Sequence, residues 1–268
     1  MKGSMTKIFC IAAPAAGAGK TTVSVNLAAA FAALDQNTLL VDCDARNRCL
    51  EAAVIDPPAD APGLDRVIAD AGDAVNFMVP TCIEHFRVLA AGPGPGRAAT
   101  DPGRKVFSEI AGQDLDVMVV NAPANPGALM QEAVCCADVL ILPVRLDLEA
   151  AGNIFGLLET YKKFLEQVAA LRQKVSAGPS SVRILINGCD DAAEAEALLG
   201  PEVFEAIAQL CLPVCIAEDE RLHEAMVFGK PVVCHDIVSP GAVAFLELAV
   251  LWTDIEEIRM EEKKDQIT

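Results

Sequence analysis

The segment PAAGAGKTT, residues 14–22, groups two glycines, a lysine and two threonines within six positions. Gly17 and Gly19 let the backbone curl so that successive N–H groups point inward at an anion. Lys20 is placed to reach the terminal phosphates of a nucleotide, and the Thr21 hydroxyl could ligate a divalent cation. The segment departs from the pattern G-x-x-x-x-G-K-[ST] at its start, where Pro14 replaces the first glycine. A chance match in an Ala/Gly-rich helix start is the competing reading. The flanks favour phosphate binding: KIFCIAA (7–13) reads as a buried strand and 20–34 as a helix, whose positive dipole end adds to the attraction.

Other polar residues stand at the ends of apolar runs. Asp42 and Asp44 close NTLLVDCDA (37–45), Asn121 closes DVMVVNA (116–122) and Asn187 closes VRILING (182–188). Further strands are expected at HFRVLAAG, VLILPV (139–144) and LPVCIA (212–217). Helices are expected in GLDRVIAD, near 127–136, from about 148 to 174, across DAAEAEALLGPEVFEAIAQL, in ERLHEAMVFG and from about 240. The Gly/Pro-rich stretch 92–104 reads as a surface loop. Unbroken apolar strands alternating with helices indicate an α/β fold, a doubly wound, mostly parallel sheet with helices on both faces. In such a sheet ligands sit at the carboxyl ends of the strands, where these polar residues lie. Residues 1–4 read as a cloning scar with Met5 as the native start, and 5–268 as one domain.

The chain has 268 residues, 53% of them apolar, with a formal net charge of −17. That charge argues against nucleic acid and anionic membranes as partners. No apolar run reaches the ~18 residues of a membrane span. The ten cysteines show no CxxC and no His-containing zinc spacing, so mostly free thiols in a reducing cytoplasm are expected. Cys135-Cys136 and Cys211-x3-Cys215 could share a metal between subunits; small buried hydrophobes are the plainer reading.

AAGAGKTT resembles the deviant phosphate loop K-G-G-x-G-K-T-[ST] of the ParA/MinD family of dimeric ATPases. LLVDCDARNRCLE resembles that family's first switch, DLDVMVVNAPANPG its second, and ADVLILPVRLDLEAAG the strand that follows. ILINGC is similar to its adenine-reading strand, and IAEDERLHEAMVFGKPVV to its late segment. The resemblance implies a P-loop NTPase that binds ATP/ADP with Mg²⁺, is joined into a homodimer by ATP and is separated by hydrolysis. It implies phosphate contacts from Gly17, Ala18, Gly19, Lys20, Thr21 and Thr22, and base contacts from Asn187, Ala217 and Asp219. Asn187 alone reads equally well as a strand-end residue satisfying a turn. Catalytic roles fall on Lys20, on Asp44 positioning the attacking water, and on Asp42; metal contacts fall on Thr21, Asp42 and, through water, Asn121.

Two departures bear on mechanism. Ala15 stands where the family has a lysine that reaches across the dimer, and Asn121 stands where it has Asp. Asn removes a full charge, so Mg²⁺ should be held less tightly. Ala124 also replaces a proline of the second switch. Arg145, Arg46 and Arg48 are candidate substitutes for the lysine, with Arg145 preferred; solvated pairing with nearby acids is the plainer reading of each. The C-terminal DIEEIRMEEKKDQIT is a poor membrane anchor, and Leu248, Leu251, Trp252, Ile255 and Ile258 form an apolar stripe for its own sheet or a partner groove. The expected function is an ATP-dependent dimerising switch that positions, partitions or assembles a cargo with a protein partner or adaptor, hydrolysing slowly. The alternatives are a non-hydrolysing nucleotide-bound scaffold and a metallocentre-maturation ATPase.

Overall fold

The computed structural model describes all residues except 1–4, 15–16, 45, 47, 70–72, 93–105, 124–126, 147–153, 175–176, 178–179 and 266–268, and only the backbone of 254–265. Ala15, Ala124 and the side chains of Ile255 and Ile258 therefore lie outside the described residues, as does almost all of the 92–104 loop.

Among the described residues, seven strands form one sheet in the order β3-β4-β2-β5-β1-β6-β7. They are β1 (Lys7–Ile11), β2 (Thr38–Asp42), β3 (Met78–Pro80), β4 (Phe86–Leu89), β5 (Val117–Asn121), β6 (Val139–Arg145) and β7 (Ser181–Asn187). All neighbours pair in parallel except β3, which runs antiparallel to β4 at one edge. β2 and β5 are buried at every position, because helices cover both faces and leave no side for a polar alternation. β1 lies between β5 and β6, where the chain switches from one half of the sheet to the other. Loops leaving the strands there open a crevice at the carboxyl edge.

The helices are α1 (Lys20–Ala33), α2 (Arg48–Ala53), α3 (Leu64–Ile68), α4 (Val106–Ala111), α5 (Ala128–Cys136), α6 (Ile154–Lys174), α7 (Ala192–Leu199), α8 (Pro201–Ile207), α9 (Glu220–Val227), α10 (Val232–His235) and α11 (Pro240–Asp265). One apolar core joins α1, α2, α9 and α11 to a sheet face; the other joins α4, α5, α6 and α7 to the opposite face. Phe9 of β1 touches Phe31 at a centroid distance of 5.0 Å and Trp252, the only tryptophan, edge-on at 5.4 Å. Leu248 is in the same core with Leu251 and Trp252 packed against it, so this part of the C-terminal stripe faces its own sheet.

Three expectations change. LPVCIA (212–217) is not a strand: the chain touches β7 only at isolated bridges Ile184↔Cys211 and Asn187↔Ile216. Pro213 has no N–H to give a continuous ladder. The stretch expected as one long helix is two, because Gly200 turns at φ 82° and Pro201 starts α8 as a fresh N-terminus. β3 is additional to the strands expected from the sequence, because three residues ending in Pro80 carry too little pattern.

Candidate functional site

The phosphate-loop segment joins β1 to α1. Gly17 has φ 78° and Gly19, the N-terminal cap of α1, has φ 91°, both in the region that disfavours side chains. A Cβ on Gly19 would stand 2.8 Å from Nδ2 of Asn187, so the loop passes directly against the end of β7. Lys20 and Thr21 open α1, both half-buried. Burial lowers the pKa of the Lys20 ammonium, and Asp44 partly opposes this. The Thr22 hydroxyl donates to Sδ of Met226 at 3.4 Å, turning away from the helix axis toward α9. Asn26, buried within α1, accepts from Val232 N at 2.8 Å and donates to Thr22 O at 2.9 Å. That pair fixes the 231–235 segment against the helix carrying Lys20 and Thr21.

Asp42 is fully buried, and its carboxylate is enclosed by donors. Oδ1 accepts from Asp44 N at 3.0 Å and from Nδ2 of Asn121 at 2.9 Å; Oδ2 accepts from Cys49 N at 3.0 Å. Burial raises its pKa, and these three hydrogen bonds work against that rise. Asp44 is held differently. Arg46 clasps it, Nε to Oδ1 at 3.0 Å and Nη2 to Oδ2 at 2.5 Å, and this hydrogen bonding keeps its carboxyl below the usual range. The carboxylate expected to orient water thus already faces a guanidinium.

At the other end of the loop a cleft of about 190 Å³ is lined by Ala18, Gly19, Thr22, Asn187, Ala217 and Asp219, among others. Six of the expected nucleotide contacts therefore share one cavity. Asn187 donates from Nδ2 to Ala18 O at 3.0 Å, while its Oδ1 is buried without a partner among the described residues. A buried orphan acceptor costs free energy until a ligand donates to it. The Asn187 amide nitrogen carries two N–H groups and only one is used on Ala18, so the side chain offers a ligand an acceptor at Oδ1 and one further donor. Asp219 is also occupied: Oδ1 caps α9 at Arg221 N (2.9 Å) and Oδ2 accepts from Gly241 N (2.9 Å). It shapes the cleft wall by capping and offers few free lone pairs.

Arg145 lines the same cleft and pairs with Glu218, Nη2 to Oε1 at 2.8 Å. It sits on the side of Asn187, opposite which it is registered in the sheet. Its expected reach toward a second subunit's phosphates has this ion pair as a competitor. Cys10, Cys43 and Cys49 are buried, and burial pushes each thiol well above its usual pKa. Among the described residues no group of three or more His, Cys, Asp or Glu could hold a metal ion, and no helix is long and apolar enough to cross a membrane.

Residues 9–232 match the model of the CobQ/CobB/MinD/ParA nucleotide binding domain. The chain belongs to this family. It is 25% identical over 257 residues to the sporulation initiation inhibitor protein Soj of Bacillus subtilis, covering 91% of this chain and 97% of Soj. Among solved structures it resembles the septum site-determining protein MinD of Pyrococcus horikoshii complexed with Mg-ADP, at TM-score 0.71 and 24% identity over 95% of this chain and 98% of that one. It also resembles the MinC:MinD cell division protein complex of Aquifex aeolicus, at TM-score 0.70 and 19% identity over 93% and 96% of the two chains. The seven-stranded, mostly parallel sheet is the fold these structures share.

The residues present fit a tightly held Mg²⁺ poorly. The Thr21 hydroxyl, half-buried at the start of α1, is a suitable oxygen ligand. Asp42 already accepts three N–H groups, and Asn121 presents an uncharged amide whose N–H side faces Asp42. Without the phosphates of a bound nucleotide, a hard dication asks for more negative charge than this set leaves free.

Proposed function

We propose that this chain is an ATP-binding switch that dimerises when ATP is bound and positions, partitions or assembles a cargo through a protein partner. The observation that carries the reading is the single cleft in which the Gly19 turn meets the orphaned Oδ1 of Asn187. One end supplies the Gly19 turn and the N-terminus of α1 for phosphates; Lys20 does not line this cleft but opens the same helix. The other supplies one buried acceptor for a base. The family match and the likeness to Soj, MinD and MinC:MinD support it. A light-scattering mass that doubles with ATP and not with ADP is the expected outcome; a monomer under both conditions would sink the switch.

Hydrolysis is slow in this reading. The in-line water lacks a free Asp44 carboxylate, which Arg46 holds, and Asn121 brings no charge to the site. These two observations also favour the scaffold, a chain that binds nucleotide and does not turn it over. Single-turnover hydrolysis of ATP separates the two.

The base end predicts a preference of its own. Oδ1 of Asn187 needs a hydrogen-bond donor, which the 6-amino group of adenine has and the same edge of unsubstituted purine lacks. ATP should bind about 10- to 100-fold more tightly than purine riboside triphosphate, the range for leaving a buried polar group unpaired. Competition titration checks this, and equal affinities would remove Asn187 from base recognition.

A further inference from the structure

Asp42 and Asn121 end adjacent strands, and they stand directly opposite each other in the parallel register of β2 and β5. Both side chains are almost fully buried. Nδ2 of Asn121 donates to Oδ1 of Asp42 at 2.9 Å, and Oδ1 of Asn121 accepts from the Ser24 hydroxyl of α1 at 3.3 Å. One amide therefore joins three elements: the strand of the first switch, the strand of the second, and the helix that begins at the phosphate loop.

We propose that Asn121 ties the two switch strands together without a metal ion, so that this chain holds nucleotide independently of Mg²⁺. The inference rests on the nucleotide-binding reading above. Its physical basis is the charge count at a closed position. Two carboxylates opposite each other at this separation repel strongly when buried, and only a proton or a cation relieves them. The amide relieves the pair itself, because its N–H presents a positive end to Asp42. Backbone N–H groups of Asp44 and Cys49 complete the shell around that carboxylate. The site is electrically satisfied before any ion arrives, and the switch strands are already joined.

Binding of a fluorescent ADP analogue to the full chain, with excess Mg²⁺ and then with EDTA, tests this. The wild-type dissociation constant should change by less than about threefold on chelation, while Asn121→Asp should weaken by more than about tenfold. Mg²⁺ alone should raise the melting temperature of Asn121→Asp and leave that of the wild type unmoved. A hydrogen bond with a merely structural role would give both proteins the same Mg²⁺ dependence, and that result would overturn the inference. So would a wild-type affinity that collapses with EDTA, although nucleotide binding itself would then stand. No binding under either condition would overturn the nucleotide reading and this inference with it. If Asn121→Asp folds only when Mg²⁺ is present, that rescue reads out the same dependence, and the wild-type titration decides independently.

Discussion

Lys20→Ala should lower the affinity for ATP by about 100-fold and leave the ligand-free protein as stable as before. A hydrogen-bonded charge pair with phosphate contributes about 1.5–3 kcal/mol, and the upper part of that range is a factor of about 100. Ligand-free stability should not fall, for a reason visible in the site. Lys20 is half-buried, and burial already disfavours its charged form. Its ammonium is therefore held in an unfavourable place until an anion arrives. Removing it relieves that cost, so the melting temperature should hold or rise slightly while isothermal titration shows the affinity loss. An unchanged ATP affinity would mean that phosphates do not sit on this loop.

Gly19→Ala should damage both binding and folding, by about 2–3 kcal/mol of stability. An L-residue at φ 91° costs about 1–2 kcal/mol. The new Cβ would stand 2.8 Å from Nδ2 of Asn187, forcing that amide off Ala18 O and losing a further ~1 kcal/mol. For a chain of this size that is a melting-point loss of roughly 5–10 °C. ATP affinity should fall by at least about tenfold, because the turn that aims the N–H groups is lost together with the base contact. Gly17→Ala is the internal comparison. Gly17 also has positive φ, but a Cβ there would meet nothing within 4 Å, so only the backbone cost applies. Equal losses for the two variants, measured by calorimetry, would show that the contact with Asn187 carries nothing.

Much of this architecture was legible from local pattern. The apolar runs of β1, β2, β5 and β6 are continuous because both their faces are covered, and that continuity is written along the chain. The phosphate loop was legible because its glycines and lysine are neighbours in sequence. What failed needed more than neighbours. β3 is three residues long and pairs only through β4. The 212–217 run has strand composition, but Pro213 and a close approach to β7 at two points leave it without a ladder.

The site was legible as a set of residues and less so as a set of bonds. Asn121 and Asp42 lie far apart in sequence and meet because β2 and β5 are adjacent, a fact of strand order. Asp219 has a spacing that fits a cleft residue, yet its two oxygens cap backbone N–H groups on separate helices. The Arg46 clasp on Asp44 did have a signal, since the two are only two residues apart in D-A-R.

The packing of Trp252 on Phe9 gives the protein an optical gauge of its own. β1 runs from Phe9 through Ile11 into the phosphate loop, and the single indole rests edge-on against its first aromatic ring. With one tyrosine in the chain besides, excitation at the red edge reports on that one contact alone. Any strain that a ligand on the loop passes into β1 would reach the indole through one ring, and the emission would register it without any attached dye.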